Sequence, residues 1–533
     1  MSLMPDEASY PGVYIDESSA GRAIIGVATS ITAFLGQAAK GPTDRAVSVF
    51  DLSDFVNQFG ALDVKYPMGF AVRDFFINGG TQAVIVRLYQ DPPVEVGKAS
   101  ASLNAGRVDP IALASASPGD WANGLEVQVK HDGDPAVATD LGLTPNDLFS
   151  LHIRIQPGGP QERFLNLTVK DSDRRVDQVL ARKSALVRIE VAGALDAAGV
   201  KRPGESVDGD GNATWDQVLP GDAGHASAPL DDIAYTGDRK TRTGKYLLEH
   251  IDLVNLVCVL GNTLSSLVPP EVYKDILDYC VERRAFLIVD PPPDWTRNGL
   301  VTDPTDELAN LNLTGTSARN AAIFYPRLLQ ANPLRGNKVE VFAGCGALAG
   351  VIARTDAERG VWMAPAGTDA SLAGVVGLPE TLSDAETRPL NQNGINVIRT
   401  FPGYGPVVWG ARTLRGADRT ADEYKYIPVR RTALFLEESL RRGLEWVMFE
   451  PNDEALWAQI RLDAGAFMHS LFRRGAFQGK TPRDAYFVKC DNETTTDEDI
   501  DKGVVNIVVG FAPLKPAEFL IVQLQQMAGQ LSA

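Results

Sequence analysis

The feature that most constrains this fold is an apolar segment close to the end of the 533-residue chain. Residues 519–525 are apolar on both faces up to the final glutamines, and an unpaired strand of that kind aggregates unless something covers it. A turn at 512–516 precedes the segment, which predicts a hairpin with the run before the turn. The alternating apolar residues are Val505, Ile507, Val509 and Phe511 before the turn and Leu520, Val522 and Leu524 after it. The sequence therefore predicts a partner strand, from this chain or from another copy.

A long helix is predicted just before this segment, over residues 453–474. Asn452 is placed to cap its start and Gly475 to end it. Apolar residues recur at three- and four-residue spacing and form one stripe: Leu456, Trp457, Ile460, Ala464, Phe467, Met468, Leu471 and Phe472. Arg473 lies away from this stripe and Arg474 lies on its flank.

The N-terminus carries a second, shorter extended pattern. Residues 1–20 are polar apart from a segment around Tyr10–Ile15, in which Val13 and Ile15 share a face. A frayed terminus is the ordinary interpretation of such a segment. Here, however, both ends of the chain favour β-structure.

Composition limits the classes of function. The net charge of −17 argues against a general binder of nucleic acid or anionic membranes. No uninterrupted apolar run approaches the roughly 18 residues of a membrane span, and the N-terminus lacks the pattern of a signal peptide. The four cysteines show neither paired nor metal-ligand spacing. The sequence therefore predicts synthesis in the cytoplasm, without a signal peptide and with reduced thiols.

The order of apolar runs, amphipathic segments and turn residues predicts a mixed α/β protein of several domains. Buried strands alternate with helices in 21–92 and again in 229–412, which indicates a mostly parallel sheet. Between them, short alternating segments separated by turn residues predict a β-rich insertion. The predicted divisions are an N-terminal arm (1–20), a core segment (21–92), the inserted domain (93–228), the core (229–412), a C-terminal core domain with the long helix (413–510) and a C-terminal strand or arm (511–533).

Motifs that would carry chemistry are absent from the sequence. There is no P-loop and no nucleophile elbow, and the five histidines are scattered. Asp208–Asn212 imitates the start of a calcium loop, but Ala213 and Leu219 stand where a glycine and a bidentate glutamate are required. The sequence predicts no catalytic residues, no cofactor and no metal site.

Several separate strings together resemble the contractile tail sheath protein family of phage tails and phage-derived injection machines. They occur in the order that the family has, and the resemblance covers 8–90 and about 230–530 but not 93–228. The strings are Tyr10–Tyr14, Gly350–Asp356 with Trp362–Pro365, Leu390–Asn396, Trp409–Thr413, Tyr426–Arg430, Phe449–Asn452 and Pro516–Phe519.

The resemblance implies a subtilisin-like α/β core without catalysis, an inserted outer domain, and terminal arms that add strands to sheets of neighbouring subunits. Copies would polymerise helically around an inner tube and contract from a metastable extended state, driving the tube through a target envelope. The residues expected to exchange between subunits are Val13, Tyr14 and Ile15 in one arm and Phe519, Leu520, Ile521, Val522 and Leu524 in the other.

The implied partners are other copies of the chain, the inner tube protein, and baseplate and terminal cap proteins. Neither nucleic acid nor membrane insertion is expected, and the assembled location is a virion tail or an injection particle. For tube contact, the predicted residues are Arg473, Arg474 and Lys480, facing an acidic tube surface. The other interpretation of these cations is that they complement the helix dipole. A static tube or shell component and an α/β hydrolase-like enzyme are the alternative functions.

Overall fold

A computed structural model describes residues 23–93, 100–103, 111–155, 161–189, 195, 201–217 and 224–518. The predicted terminal strands lie outside these described residues. The same holds for all of the predicted exchange residues: Val13, Tyr14, Ile15, Phe519, Leu520, Ile521, Val522 and Leu524.

The described residues contain strands and helices in alternation. The strands are β1 Thr32–Gly36, β2 Val47–Val49, β3 Ala83–Arg87, β4 Ser100–Leu103, β5 Ile111–Ser115, β6 Leu125–Lys130, β7 Phe149–Ile155, β8 Gln161–Leu167, β9 Val187–Ile189, β10 Asp216–Gln217, β11 Leu256–Val259, β12 Phe286–Val289, β13 Ala321–Tyr325, β14 Leu328–Asn332, β15 Lys338–Phe342, β16 Ile395–Phe401, β17 Gly405–Trp409, β18 Tyr486–Lys489 and β19 Val508–Phe511. The helices are α1 Leu52–Phe59, α2 Pro67–Ile77, α3 Pro135–Asp140, α4 Val176–Lys183, α5 Asp232–Thr236, α6 Pro270–Glu282, α7 Arg297–Thr302, α8 Pro304–Asn310, α9 Cys345–Arg359, α10 Asp384–Gln392, α11 Ile427–Gly443, α12 Glu454–Arg473, α13 Pro482–Ala485 and α14 Asp497–Asp501.

An eight-stranded sheet organises the described core, in the order β17-β16-β13-β12-β11-β1-β3-β2. The run from β16 to β3 is parallel, and the two outer strands pair antiparallel. Its central strands are short apolar runs buried on both faces, as a parallel sheet covered by helices requires. Helix α6 packs in one apolar core, while α2 and α9 pack in the other. The predicted mixed α/β class and mostly parallel sheet are confirmed.

The stretch between the two core segments forms antiparallel sheets of its own. One has the order β10-β6-β7-β8 and the other β4-β5-β9. A separate apolar cluster joins them, with α4 contributing Val176, Val179 and Leu180. The predicted β-rich texture is therefore present, whereas the division of the chain into domains stays a prediction.

Three local predictions near the C-terminus are corrected. The apolar spacing of Leu436, Leu440, Leu444 and Val447 predicts a helix over 434–447, whereas α11 spans Ile427–Gly443. Asp453, not Asn452, caps α12, because its carboxylate accepts from the Leu456 N–H at 2.9 Å. The run of carboxylates in 490–501 predicts a solvated loop, but it contains α14, which begins with a reciprocal capping box. None of the helices in the described ranges has the length and hydropathy that a membrane span requires.

Candidate assembly surface

The two-stranded sheet of β18 and β19 lies beside the long helix α12. The strands are antiparallel, with Tyr486 opposite Phe511 and Lys489 opposite Val508. Tyr486, Val488, Val509 and Phe511 pack against a cluster that includes Phe467 and Leu471 of α12. The first half of the predicted hairpin therefore pairs with an earlier strand, β18, which the sequence reasoning missed. The second half lies outside the described residues.

Each strand of this small sheet keeps one edge without a strand partner in the described part of the chain. Ala512 N–H donates to Ala485 O at 2.8 Å, so this pair of residues is a hydrogen-bonded one. Because antiparallel pairs alternate between bonded and non-bonded, the main-chain groups of Val509 and Phe511 point away from β18. By the same alternation, those of Tyr486 and Val488 point away from β19. The outer edge of β19 thus presents N–H and C=O groups to an incoming strand. On the outer edge of β18, the Tyr486 N–H already donates to Pro482 O, which leaves the Tyr486 C=O and both main-chain groups of Val488.

The outer face of the small sheet is also apolar. Phe487 is 55% exposed and Val508 is 46% exposed. The Phe487 ring covers Gly510 across the strands, and a Cβ atom at Gly510 would lie 2.2 Å from that ring. The glycine thereby lets the ring lie flat on the sheet, where it holds the pair in register.

Helix α12 is apolar on its inner side, as predicted, and carries little charge on its outer side. The buried residues include every member of the predicted stripe except Phe472, which is half-buried. Leu462 is 61% exposed. The other exposed residues at the same spacing are Ala455, Ala458, Ala466, His469 and Arg473. Sequence reasoning missed this outer stripe because alanines are compatible with either face of a helix.

The turn that leads into α12 adds two exposed apolar side chains. Met448 is 67% exposed and Phe449 is fully exposed. Phe449 has a φ of 71°, which is unfavourable for a bulky residue. Its string, Phe449–Asn452, is held by Asn452, which accepts from Trp457 Nε1 at 2.8 Å and donates to Val504 O at 3.0 Å.

The three cations predicted to face the tube are exposed at the C-terminal end of α12. Arg473 is the last residue of the helix and Arg474 is its C-cap. The Arg474 guanidinium lies 5.1 Å from the centre of the Trp362 ring, a contact that orients this side chain within its own chain. Lys480 lies in the loop between α12 and α13. In the described residues, neither Arg473 nor Lys480 forms an ion pair with a carboxylate.

A buried arginine holds the end of the described chain. Arg412 is fully buried, and its Nε and Nη2 donate to the two carboxylate oxygens of Glu518 at 2.7 and 2.6 Å. Tyr426 Oη donates to the same carboxylate at 3.1 Å. Burial lowers the pKa of Arg412, but the hydrogen bonds and charge of Glu518 together with the charge of Asp418 raise it by more. Burial and the Glu518 charge together raise the pKa of Tyr426 to about 12.

This contact unites strings that are far apart in the sequence. Arg412 also donates to Asn391 O at 2.7 Å, and its own N–H donates to Asn396 Oδ1 at 2.7 Å. Arg431, which follows the Tyr426–Arg430 string in the sequence, makes a bidentate pair with Asp356 at 2.7 and 2.6 Å. The strings around residues 390–396, 409–413, 426–430 and 516–518 therefore meet at one place. Sequence reasoning singled out these strings but gave no sign that they touch.

The carboxyl edge of the parallel sheet is where α/β enzymes place their sites. Here Arg87 and Arg327 cross that edge and donate to main-chain carbonyls, including Pro118 O at 2.7 Å and Pro291 O at 2.8 Å. Burial lowers the pKa of Arg87 to about 10. These bonds tie loops together. Over the described ranges, no group of three or more His, Cys, Asp or Glu side chains could hold a metal ion.

Two family profiles match this chain. The phage tail sheath protein central domain matches residues 254–414, and the phage tail sheath C-terminal domain matches residues 419–527. Together the matches cover about half of the sequence and include β11 to β19.

Curated relatives agree with the profiles. The tail sheath protein of Vibrio phage KVP40 is 27% identical over 308 residues, covering 56% of this chain and 40% of the relative. That of Enterobacteria phage T4 is 26% identical over 243 residues, covering 43% of this chain and 35% of the relative. The chain thus spans less than half the length of these two proteins.

Solved structures share the fold along nearly the whole chain. The PVC sheath of an extracellular contractile injection system, in its contracted state, aligns with a TM-score of 0.57 at 21% identity, covering 99% of each chain. The contracted helical sheath of the anti-feeding prophage gives 0.56 at 19%, covering 97% of this chain and 99% of the other. A sheath tail protein from Listeria innocua gives 0.59 at 11%, covering 92% and 96%. The chain belongs to the phage tail sheath protein family.

Proposed function

We propose that this chain is a sheath subunit that polymerises helically around an inner tube. The polymer contracts from a metastable extended state and drives the tube through a target envelope. The observation that carries this function is the small sheet of β18 and β19, which has two open edges in a chain whose two ends are β-prone. A two-stranded sheet is marginal by itself, so strands from other copies would complete it.

Strand addition explains how copies stay joined during a change of shape. The outward main-chain groups of Val509 and Phe511 offer about four hydrogen bonds to one guest strand. Tyr486 and Val488 offer about three on the other edge, because the Tyr486 N–H already donates to Pro482 O. At about 1 kcal/mol net per bond, each edge contributes roughly 3–4 kcal/mol. Val13–Ile15 and Phe519–Leu524 are the proposed guests. An extended linker bends while such a ladder stays intact, so neighbouring bodies rotate without separating.

The outer stripe of α12 is the proposed tube contact. Its small residues allow close approach, and Leu462 supplies exposed apolar area. Arg473, Arg474 and Lys480 at its C-terminal end would face acidic groups of the tube. Exposed ion pairs contribute about 0–1 kcal/mol each, which is weak enough for the contact to break when the sheath contracts.

Energy for contraction would come from packing between subunits and not from nucleotide hydrolysis. The α/β body acts as a subtilisin-like core without catalysis, which its mostly parallel, helix-covered sheet supports. Besides other copies and the tube, its partners are baseplate and terminal cap proteins, with no nucleic acid and no membrane insertion. The chain is made in the cytoplasm and works in a virion tail or injection particle.

Electron microscopy of the purified full-length chain, with and without its tube, tests this function. We expect helical polymers with two lattices, one long and narrow and one short and wide. A single lattice under all conditions would identify a static shell instead. A small discrete oligomer that never polymerises would refute the proposal.

Charge reversal tests the tube contact separately. Replacing Arg473 and Arg474 by glutamate should abolish co-sedimentation of sheath with tube while polymers without tube still form. Reversing two exposed lysines of other regions, Lys183 and Lys240, gives a control with the same change in net charge. Unchanged tube binding by the arginine variant would remove these residues from the contact.

A further inference from the structure

The segment between β19 and Glu518 contacts the body of the protein at residues 512–514 and again at Glu518. Gln478 N–H donates to Ala512 O at 2.9 Å, and Phe477 forms a bridge with Pro513. Leu514 then packs into the cluster around α12. The path ends where Glu518 meets Arg412. This segment therefore leads from the small sheet back to the edge of the eight-stranded sheet.

Arg412 is itself fixed from several sides. Its main-chain N–H and C=O both bond the Asn396 side chain, at 2.7 Å each, and Asn396 belongs to β16 of the large sheet. Its Nη1 donates to Asn391 O at 2.7 Å and to Asp418 Oδ1 at 3.0 Å. The Glu518 carboxylate thus joins the large sheet through one rigid, bidentate contact.

We propose that Arg412 and Glu518 form an anchor that transfers tension from the C-terminal arm directly to the large sheet. This inference rests on the proposed exchange of residues 519–533 between copies. Without the anchor, a pull on the arm would first break the contacts of residues 512–514 and then peel β19 from β18, one hydrogen bond at a time. With the anchor, the pull ends at Arg412 and β19 carries no tension. Glu518 is a positioning residue for the arm, and Tyr426 supports it.

Force spectroscopy on the full-length chain tests the anchor. Cysteines added at Asn310, which is exposed, and at Ala533 provide handles, because the four native cysteines are buried. We expect no extension step in the otherwise unaltered chain before the body unfolds. Glu518→Ala should add an early step at lower force, as 508–518 peel away. At about 3.6 Å per residue this step would reach up to about 40 Å.

Asp384→Asn is the matched control, because it removes a surface ion pair with Arg399 near the same edge of the sheet. It should show no early step. Glu518→Asp should show the step at an intermediate force. If Glu518→Ala does not fold, Glu518→Gln keeps the size of the side chain and should still show the step. A folded Ala or Gln variant that extends like the unaltered chain would overturn the anchor.

Deleting residues 519–533 separates this inference from the proposed function. If the deleted chain still forms normal polymers, the exchange of the C-terminal arm is refuted. If it fails to polymerise while Glu518→Ala shows no early step, only the anchor is refuted. Thermal unfolding of each variant, compared with the unaltered chain, shows whether a change in the force trace reflects the anchor or the stability of the body.

Discussion

The open edge of β19 makes a prediction that distinguishes strand addition from ordinary surface packing. Val509→Pro removes one outward N–H from the edge and leaves the ladder with β18 intact, since Val509 lies in a non-bonded pair of that ladder. Val509→Ala is the matched control, because it trims the same side chain but keeps the N–H.

The expected magnitude follows from the geometry. One of about four bonds to the guest strand is lost, and the guest carbonyl is left without a donor. Together these effects cost about 1–3 kcal/mol, or roughly a 5- to 150-fold rise in the concentration needed for polymerisation. The monomer should lose less, because in the absence of a guest this N–H bonds to water.

Sedimentation of polymer over a dilution series measures this concentration for each variant. Circular dichroism and thermal unfolding of the monomers show whether the body is intact. If Val509→Pro and Val509→Ala polymerise at the same concentration with equally stable monomers, the edge of β19 does not accept a strand, and the reasoning fails.

Three other results are expected. Asp356→Asn should destabilise the monomer by about 3–5 kcal/mol in denaturant unfolding, because it leaves a buried guanidinium without its bidentate carboxylate partner. Leu462→Asp should weaken tube binding with less than about 0.5 kcal/mol change in monomer stability, whereas Leu165→Asp, also at an exposed leucine, should change neither. Burial raises the pKa of Glu438, but its arginine neighbours lower it by more. Because the pKa of Glu438 is lower in the folded chain than its unfolded value of about 4.3, Glu438 stabilises the fold above that pH, and this stabilisation is lost as pH falls through the folded pKa. Arg442→Gln removes one of the charges that lower the folded pKa. It should therefore raise the midpoint pH of acid unfolding, as followed by circular dichroism.

The large sheet was predictable because each of its central strands is a short apolar run that can be identified from its own residues. The apolar runs at β11 and β12 and the amphipathic helix between them need no partner to be identified. The small sheet was harder to predict, because the alternation in β19 indicates a strand but does not identify the strand with which it pairs. Its partner β18 has only four residues and follows α13 directly.

The start of α11 was missed for a related reason. Arg431 and Thr432 look like polar surface residues in the sequence, yet both are buried. Arg431 is compatible with burial only because Asp356, on α9, supplies both carboxylate oxygens. The local pattern of apolar residues therefore predicts a helix that begins too late, because the carboxylate that compensates the buried charge lies far away in the sequence.

The contact of Arg412 with Glu518 likewise pairs a buried charge with a residue that is distant in the sequence. It also indicates a structural role for the strings that carry the family resemblance. Here their side chains bond one another and main-chain carbonyls, and so join the large sheet to the segment that leads toward the C-terminus. A contractile polymer needs rigid bodies joined by links that bend, because its subunits must move as units without separating. In the contractile polymer that we propose, tension that deformed the bodies would dissipate the packing energy that drives contraction.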